Sequence, residues 1–301
     1  MPRLGIKMVI YANHVIRSTI KAVSETLRKL NDKGELSSIE NNIAPLSKVF
    51  DLQGMATLKS NEKSYLKTKA SNTQLLIPAA GSPPKSNSKL QKIDKFIAKS
   101  YPVSLLKIGN KSILEMNIDS AKMNNINNFK LISGYRSDYF KNLKNVNIIK
   151  NSDFQKTTQL DSIMMGLDPN FNSIVIYSDI IFEQEILQRL INRDDDISLV
   201  IDTINQNTSK WCDLAITQKK PIRDGRILTQ HRTNIIKKLE KSLDFKKTNY
   251  EFVGISYFSK KGSKLLIKEY KKFKKKNKNR NFKLFINYVI KNNIKVKAIE
   301  I

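Results

Sequence analysis

Short apolar runs rich in β-branched side chains alternate along this chain with stretches whose apolar residues are spaced by three and four. The clearest run is Ile174-Val175-Ile176-Tyr177, followed by Ser178-Asp179 and a second apolar stretch, Ile180-Ile181-Phe182. It is too short for a buried helix and suits a strand covered on both faces. Asp179 is then expected at or near the strand's C-terminal end, where open α/β sheets keep their ligand sites. Two readings of Asp179 stay open here: a metal-binding or catalytic carboxylate, or the N-cap of a helix through Glu183-Gln184-Glu185-Ile186-Leu187.

The same pattern predicts a short strand at residues 5–11, then a helix on Val15, Ile16, Ile20, Val23, Leu27 and Leu30, and mostly helical segments and loops to residue 65. Residues 68–73 turn small and polar and read as a linker. Beyond it, Leu75-Leu76-Ile77-Pro78 reads as a strand and Ala79-Ala80-Gly81-Ser82 as a small-residue turn, which lets backbone N–H groups approach a phosphate. Residues 83–95 read as a mobile loop over the site. Strands are expected at 129–135, 146–149 and 197–202, with helices after 112, through Ile163 and Leu167, and up to Ile191. Such alternation means βαβ units and a mostly parallel sheet.

Composition narrows the chemistry. With 301 residues, 40% hydrophobic and 27% charged, the chain is long enough to bury a sizeable core. It shows neither an apolar run of about 20 residues nor a signal-peptide pattern, so a cytoplasmic protein without membrane contact is the expectation. The single Cys212 rules out an internal disulfide, and with His14 and His231 as the only histidines, a metal ion would have to be a hard cation on carboxylates. The net charge of +27 is spread along the chain beside Asn and Ile. The run Lys271-Lys272-Phe273-Lys274-Lys275-Lys276-Asn277-Lys278-Asn279-Arg280 therefore reads as a helix end and a solvated face before a polyanion surface. Phosphorylated small molecules are the simpler use of this charge, and nucleic acid is not the expected partner.

Two resemblances follow from these residues. Gly5-Ile6-Lys7-Met8-Val9-Ile10-Tyr11-Ala12-Asn13-His14, with 43–53 and Glu62-Lys63-Ser64-Tyr65-Leu66, resembles the C-terminal end of phosphoenolpyruvate mutase, a (β/α) barrel enzyme. The ordered turns at Ala79-Ala80-Gly81, 102–111, Gly134-Tyr135, Asn151 with Thr158 and Ser162, and Ser178-Asp179 resemble the sugar-phosphate and phosphocholine nucleotidyltransferases. Within that family they are most similar to the cytidylyltransferase domains fused behind the mutase in phosphonate biosynthesis. The resemblance implies a remnant of the barrel at 1–67, a linker at 68–73 and a Rossmann-like, GT-A-like α/β nucleotidyltransferase domain at 74–301. It also implies association of copies through the mutase-like part.

The implied reaction joins CTP, or another nucleoside triphosphate, to a small phosphonate or phosphate with loss of pyrophosphate and with Mg²⁺ as cofactor. Carried over residue by residue, Ala79, Ala80, Gly81, Thr158 and Ser162 bind the nucleotide, Asp179 holds Mg²⁺ and Glu251 meets the acceptor. The family's loop differs here, with Ser82-Pro83-Pro84 in its second half and Val103 after Pro102 where the family has lysine. The catalytic positive charge is then expected from Lys89 and Lys107, with Lys85 as a further candidate. The chain ends at residues 296–301, before the family's second acidic metal ligand, so a C-terminally shortened domain is expected. The mutase reaction has no site in this chain, and the remaining alternative is an inactive nucleotide- or polyanion-binding domain.

Overall fold

Runs that are apolar without a break become the central strands of a nine-stranded sheet, because helices cover both of its faces. The computed structural model describes residues 5, 12–82, 101–203, 213–219, 234–240 and 250–301, and these fall into two compact units, Met1–Lys63 and Ser64–Ile301.

The first unit holds helices α1 (His14–Lys33) and α2 (Leu46–Leu52) and the start of α3 (Met55–Ser71). Of its described residues only Ile39 is buried, and of the apolar side chains predicted to line one face of α1, Val15, Ile16, Ile20, Val23 and Leu27 are exposed and Leu30 is half-buried. The strand expected at 5–11 lies outside the described residues apart from Gly5. These helices do not by themselves identify a barrel remnant.

Residues 68–73 do not form the expected linker. Helix α3 runs to Ser71 and β1 (Thr73–Ala79) starts two residues later. Small, polar composition hid a docked helix end: Ala70 is buried in the core, Thr73 donates its hydroxyl to the Lys69 carbonyl at 2.9 Å, and Lys69 pairs with Asp194 at 2.7 Å.

After β1 the second unit continues with the hairpin β2 (Lys107–Ile108) and β3 (Lys111–Ser112), α4 (Ile113–Met123), β4 (Asn128–Ser133) and β5 (Asn147–Lys150). Next come α5 (Gln159–Gly166), β6 (Asn172–Ile176), α6 (Glu185–Ile191) and β7 (Ile197–Thr203). It closes with β8 (Asp213–Thr217), β9 (Asn234–Glu240), β10 (Tyr250–Phe258), α7 (Lys260–Lys276), α8 (Phe282–Lys291) and β11 (Lys297–Glu300). Strand order is β5-β4-β1-β6-β10-β7-β11-β9-β8. Alternate residues of one strand feed opposite cores, Val175 with Leu160, Leu266 and Phe285 on one face, Ile174 and Ile176 with Leu114, Ile118 and Leu187 on the other. Among the described residues no helix is long and apolar enough to cross a membrane.

The expectation of a mostly parallel sheet holds for β5-β4-β1-β6 and for the pair of β7 with β11, and needs correction elsewhere. β10 lies antiparallel to both β6 and β7, and β8 and β9 pair antiparallel with each other. Alternation of strands and helices is a guide to parallel pairs only, since an antiparallel pair needs no helical crossover. A consequence for function is that β10 brings the start of its chain, at Glu251, to the edge where β6 and β7 end. Gly254 makes this approach work. It has φ +80°, the register of β10 shifts around it, and a Cβ there would lie 2.4 Å from Ile180 Cδ1 and 2.8 Å from the Tyr177 ring.

One polar cluster anchors the N-terminus of α5. The Thr158 hydroxyl accepts the Asp161 N–H, the Asp161 carboxylate accepts the Thr158 N–H at 2.7 Å, and together they form a capping box. Tyr270 on α7 donates its hydroxyl to the other oxygen of Asp161, Arg280 Nε lies 3.6 Å from the carboxylate, and the Arg280 carbonyl accepts the Thr158 hydroxyl at 2.6 Å. Burial works to raise the Asp161 pKa, but the hydrogen bonds from Tyr270 and Thr158 and the Arg280 charge outweigh it and hold the group below the usual carboxylate range.

Two outcomes are expected. Gly254→Ala introduces both a strained φ and a clash and should lower unfolding free energy by about 2 kcal/mol or more in a denaturant titration. The Asp161 carboxylate, depressed in the folded state, contributes stability above its unfolded pKa that is lost as pH falls below about 4. Asp161→Asn should therefore melt at least about 2 °C lower than wild type at pH 7. That gap should close towards pH 3, whereas a gap independent of pH would show that the charge contributes nothing.

Candidate active site

A cavity of about 230 Å³ opens where β1 and β6 end, and its lining includes Ala79, Ala80, Gly81, Thr158, Ser162 and Asp179. In strand order β4 and β5 lie on one side of β1 and β6 on the other, so the chain reverses direction across the sheet at this place. Ligands in open α/β sheets bind at such a reversal. Residues predicted from separate turns are thus brought together by topology.

Close backbone contact shapes the wall formed by β1. The last registered pair of β1 with β4 is Ala79 with Ser133, so Gly81 and Ser82 lie beyond the ladder. The Ala80 carbonyl accepts the Tyr135 N–H at 2.9 Å. Gly134 is required there, because a Cβ would stand 2.6 Å from the Ala80 oxygen and 2.7 Å from Phe154 Cβ. Phe154 lines the cavity and meets Tyr135 edge to face at 6.4 Å.

The opposite wall is the start of α5. Asn151, buried behind it, donates to Thr157 Oγ1 at 2.8 Å and to Ser162 Oγ at 3.3 Å. Thr157, Thr158, Gln159 and Ser162 all line the cavity.

Asp179 closes the site on the β6 side. It is exposed, makes no hydrogen bond or ion pair among the described residues, and does not cap the following helix, whose N-cap is Gln184. Asp179 is therefore not the cap of that helix. Below it, Tyr177 meets Phe252 and Phe282 at right angles, with centroids 5.8 and 6.4 Å away. Burial pushes the Tyr177 phenol well above its ordinary range, and the charges of Asp213 and Asp179 push the same way. Among the described residues no group of three His, Cys, Asp or Glu side chains gathers for a metal.

Other predicted residues stand apart. Glu251 is half-buried opposite Asp202 of β7, outside the cavity lining, and its Oε2 is buried without a hydrogen-bond partner. Lys107 sits exposed on the β2–β3 hairpin and does not line the cavity. Hydrogen bonds from the Ser112 main chain and hydroxyl hold Glu115 below the usual carboxylate range, and the charge of Lys107 contributes in the same direction. Lys85 and Lys89, with the loop at 83–95, lie outside the described residues. The lining therefore presents hydroxyls, small residues and one carboxylate, with no lysine or arginine among the described residues. Sequence reasoning gave no role to Phe154, Thr157 and Gln159, nor to Ser104, although Ser104 lies within the block 102–111. It also missed Tyr270 and Arg280, which lie more than a hundred residues from the turn they support.

No protein-family model matches the chain. Over 175 residues it is 25% identical to CTP:phosphoglutamine cytidylyltransferase of Campylobacter jejuni, covering 54% of this chain and 67% of that protein. Over 62 residues it is 40% identical to phosphoenolpyruvate phosphomutase of Tetrahymena pyriformis, which is 21% of each chain, so it spans about a fifth of that relative. In fold it is similar to the inositol-1-phosphate CTP transferase of T. maritima, with a TM-score of 0.56 at 13% identity over 75% of this chain and 84% of that one. It is also similar to CTP:phosphocholine cytidylyltransferase of Streptococcus pneumoniae, with a TM-score of 0.53 at 15% identity over 76% of this chain and 90% of that one. These likenesses and the α/β fold support an enzyme that transfers nucleotidyl groups.

Proposed function

We propose that this chain is a CTP-dependent cytidylyltransferase that activates a small phosphonate, such as 2-aminoethylphosphonate, with release of pyrophosphate in phosphonate biosynthesis. The observation that carries the reading is the meeting of Ala79, Ala80, Gly81, Thr158, Ser162 and Asp179 around one cavity at the reversal point of the sheet. CTP is supported by the Campylobacter relative, whose name states that nucleotide. The phosphonate is supported by the short likeness to a phosphoenolpyruvate phosphomutase.

In the proposed reaction a phosphonate oxygen attacks the α-phosphorus of CTP. The bond from that phosphorus to the bridging oxygen of the β-phosphate breaks, pyrophosphate leaves, and the carbon–phosphorus bond of the acceptor stays intact. Small side chains at Ala79, Ala80 and Gly81 let the main chain approach the phosphates. Thr158 and Ser162, held by Asp161 and Asn151, offer hydroxyls along the opposite wall. Asp179, an unpaired carboxylate beside Ser178, suits Mg²⁺, which binds through one or two carboxylates and takes its remaining ligands from substrate phosphates and water. When bound, the ion would neutralise charge on the phosphates. Glu251 beside Asp202 suits the ammonium end of an aminophosphonate.

A binding-only role is the second reading, favoured by a lining without lysine or arginine among the described residues. Pyrophosphate release measured with CTP, Mg²⁺ and 2-aminoethylphosphonate separates the two. Turnover is expected, and Asp179→Ala should lower it at least about 100-fold. Nucleotide binding without turnover would leave only the binding role. Glu251→Gln should raise KM for 2-aminoethylphosphonate about 10-fold or more and leave that for ethylphosphonate unchanged, because only the first carries an amine.

A further inference from the structure

A buried hydroxyl in the cavity wall has no hydrogen-bond partner among the described residues. Ser104 sits in the short 3-10 turn Val103–Leu105, is 1% exposed, lines the cavity, and its Oγ is buried without a hydrogen bond. Burying a hydroxyl unpaired is unfavourable, and in a native structure such a group calls for an explanation. Ser256 and Ser263 also bury unpaired hydroxyls, but neither lines this cavity. Ser104 therefore carries, in a residue that lines the space a ligand would fill, a bonding capacity that the described residues leave unused.

The neighbours of Ser104 indicate which part of a ligand it meets. Pro102 and Val103 flank it and offer no side-chain donor, and the turn at Gly81 and Ser82 lines the same cavity beyond the last registered pair of β1. A donor hydroxyl beside main-chain N–H groups and without a side-chain cation suits an anionic oxygen. We infer that the Ser104 hydroxyl donates a hydrogen bond to a phosphate oxygen of the bound nucleotide. This inference rests on the nucleotide-binding reading above.

The test separates a ligand contact from a structural role because the two predict opposite signs. Binding of CTP and of cytidine is measured by calorimetry on wild type and Ser104→Ala, with melting temperatures of both proteins without ligand. Removing an unpaired buried hydroxyl should leave the melting temperature unchanged or raise it, weaken CTP binding about 10-fold and leave cytidine binding unaltered. A lower melting temperature with unchanged CTP affinity would overturn the inference and make Ser104 a structural residue. Equal weakening for CTP and cytidine would also overturn it, by moving the contact to the nucleoside. Failure of the wild type to bind CTP would overturn the nucleotide reading and this inference with it, whereas wild-type binding that Ser104→Ala leaves intact overturns this inference alone.

Discussion

Burial of β1 and β6 on both faces is the constraint on which the rest of the molecule depends. A strand packed between two helical layers has no solvent face, so its polar residues must stand at its ends or find partners inside. Gln74 and Ser173 show the second solution, joined at 2.8 Å within the sheet. Ala79 to Gly81 and Ser178-Asp179 show the first. Reversal of strand order between β1 and β6 then parts the loops that follow them and leaves a cavity.

The walls of that cavity are held from a distance. Asp161 fixes the start of α5 by satisfying Thr158, and is itself held by Tyr270 and Arg280 from the C-terminal helical layer. Gly134 and Gly254 allow neighbouring strands to come closer than any side chain would permit, one against Ala80 and the other against Tyr177. The site is thus rigid on its α5 side and tightly packed on its β6 side, which favours fixed geometry for a ligand. Among the described residues, groups without a partner remain at the Asp179 carboxylate, the Ser104 hydroxyl and one oxygen of Glu251. Native structures tolerate such groups at the cost of stability, and they concentrate at functional sites.

Much of the fold could be read from local pattern. The strands at β1, β4, β6 and β7 follow from apolar runs, and α5 and α6 follow from apolar spacing behind them. Two readings failed for identifiable reasons. Residues 68–73 look like a linker because Thr, Lys, Ala and Ser carry no apolar periodicity, yet a single buried Ala70 is enough to dock the helix end. The sheet reads as mostly parallel because alternation of strands and helices is silent about antiparallel partners brought together from far along the chain, as β10 is beside β6 and β7. Lys107, a candidate for the positive charge, stands on an exposed two-residue strand outside the cavity lining.

The sequence by itself determined which residues lie at strand ends, since alternation and run length are local properties of the chain. That was enough to place Ala79 to Gly81 and Asp179 at strand ends, while Thr158 and Ser162 were singled out by the resemblance to nucleotidyltransferases. Only the tertiary structure decided that these ends meet, that Asp179 is free of the helix after it, and that Tyr270 and Arg280 support Thr158. It also decided that Ser104 keeps an unpaired hydroxyl. Whether a buried group is satisfied depends on atoms brought from far along the chain, and no local pattern records them.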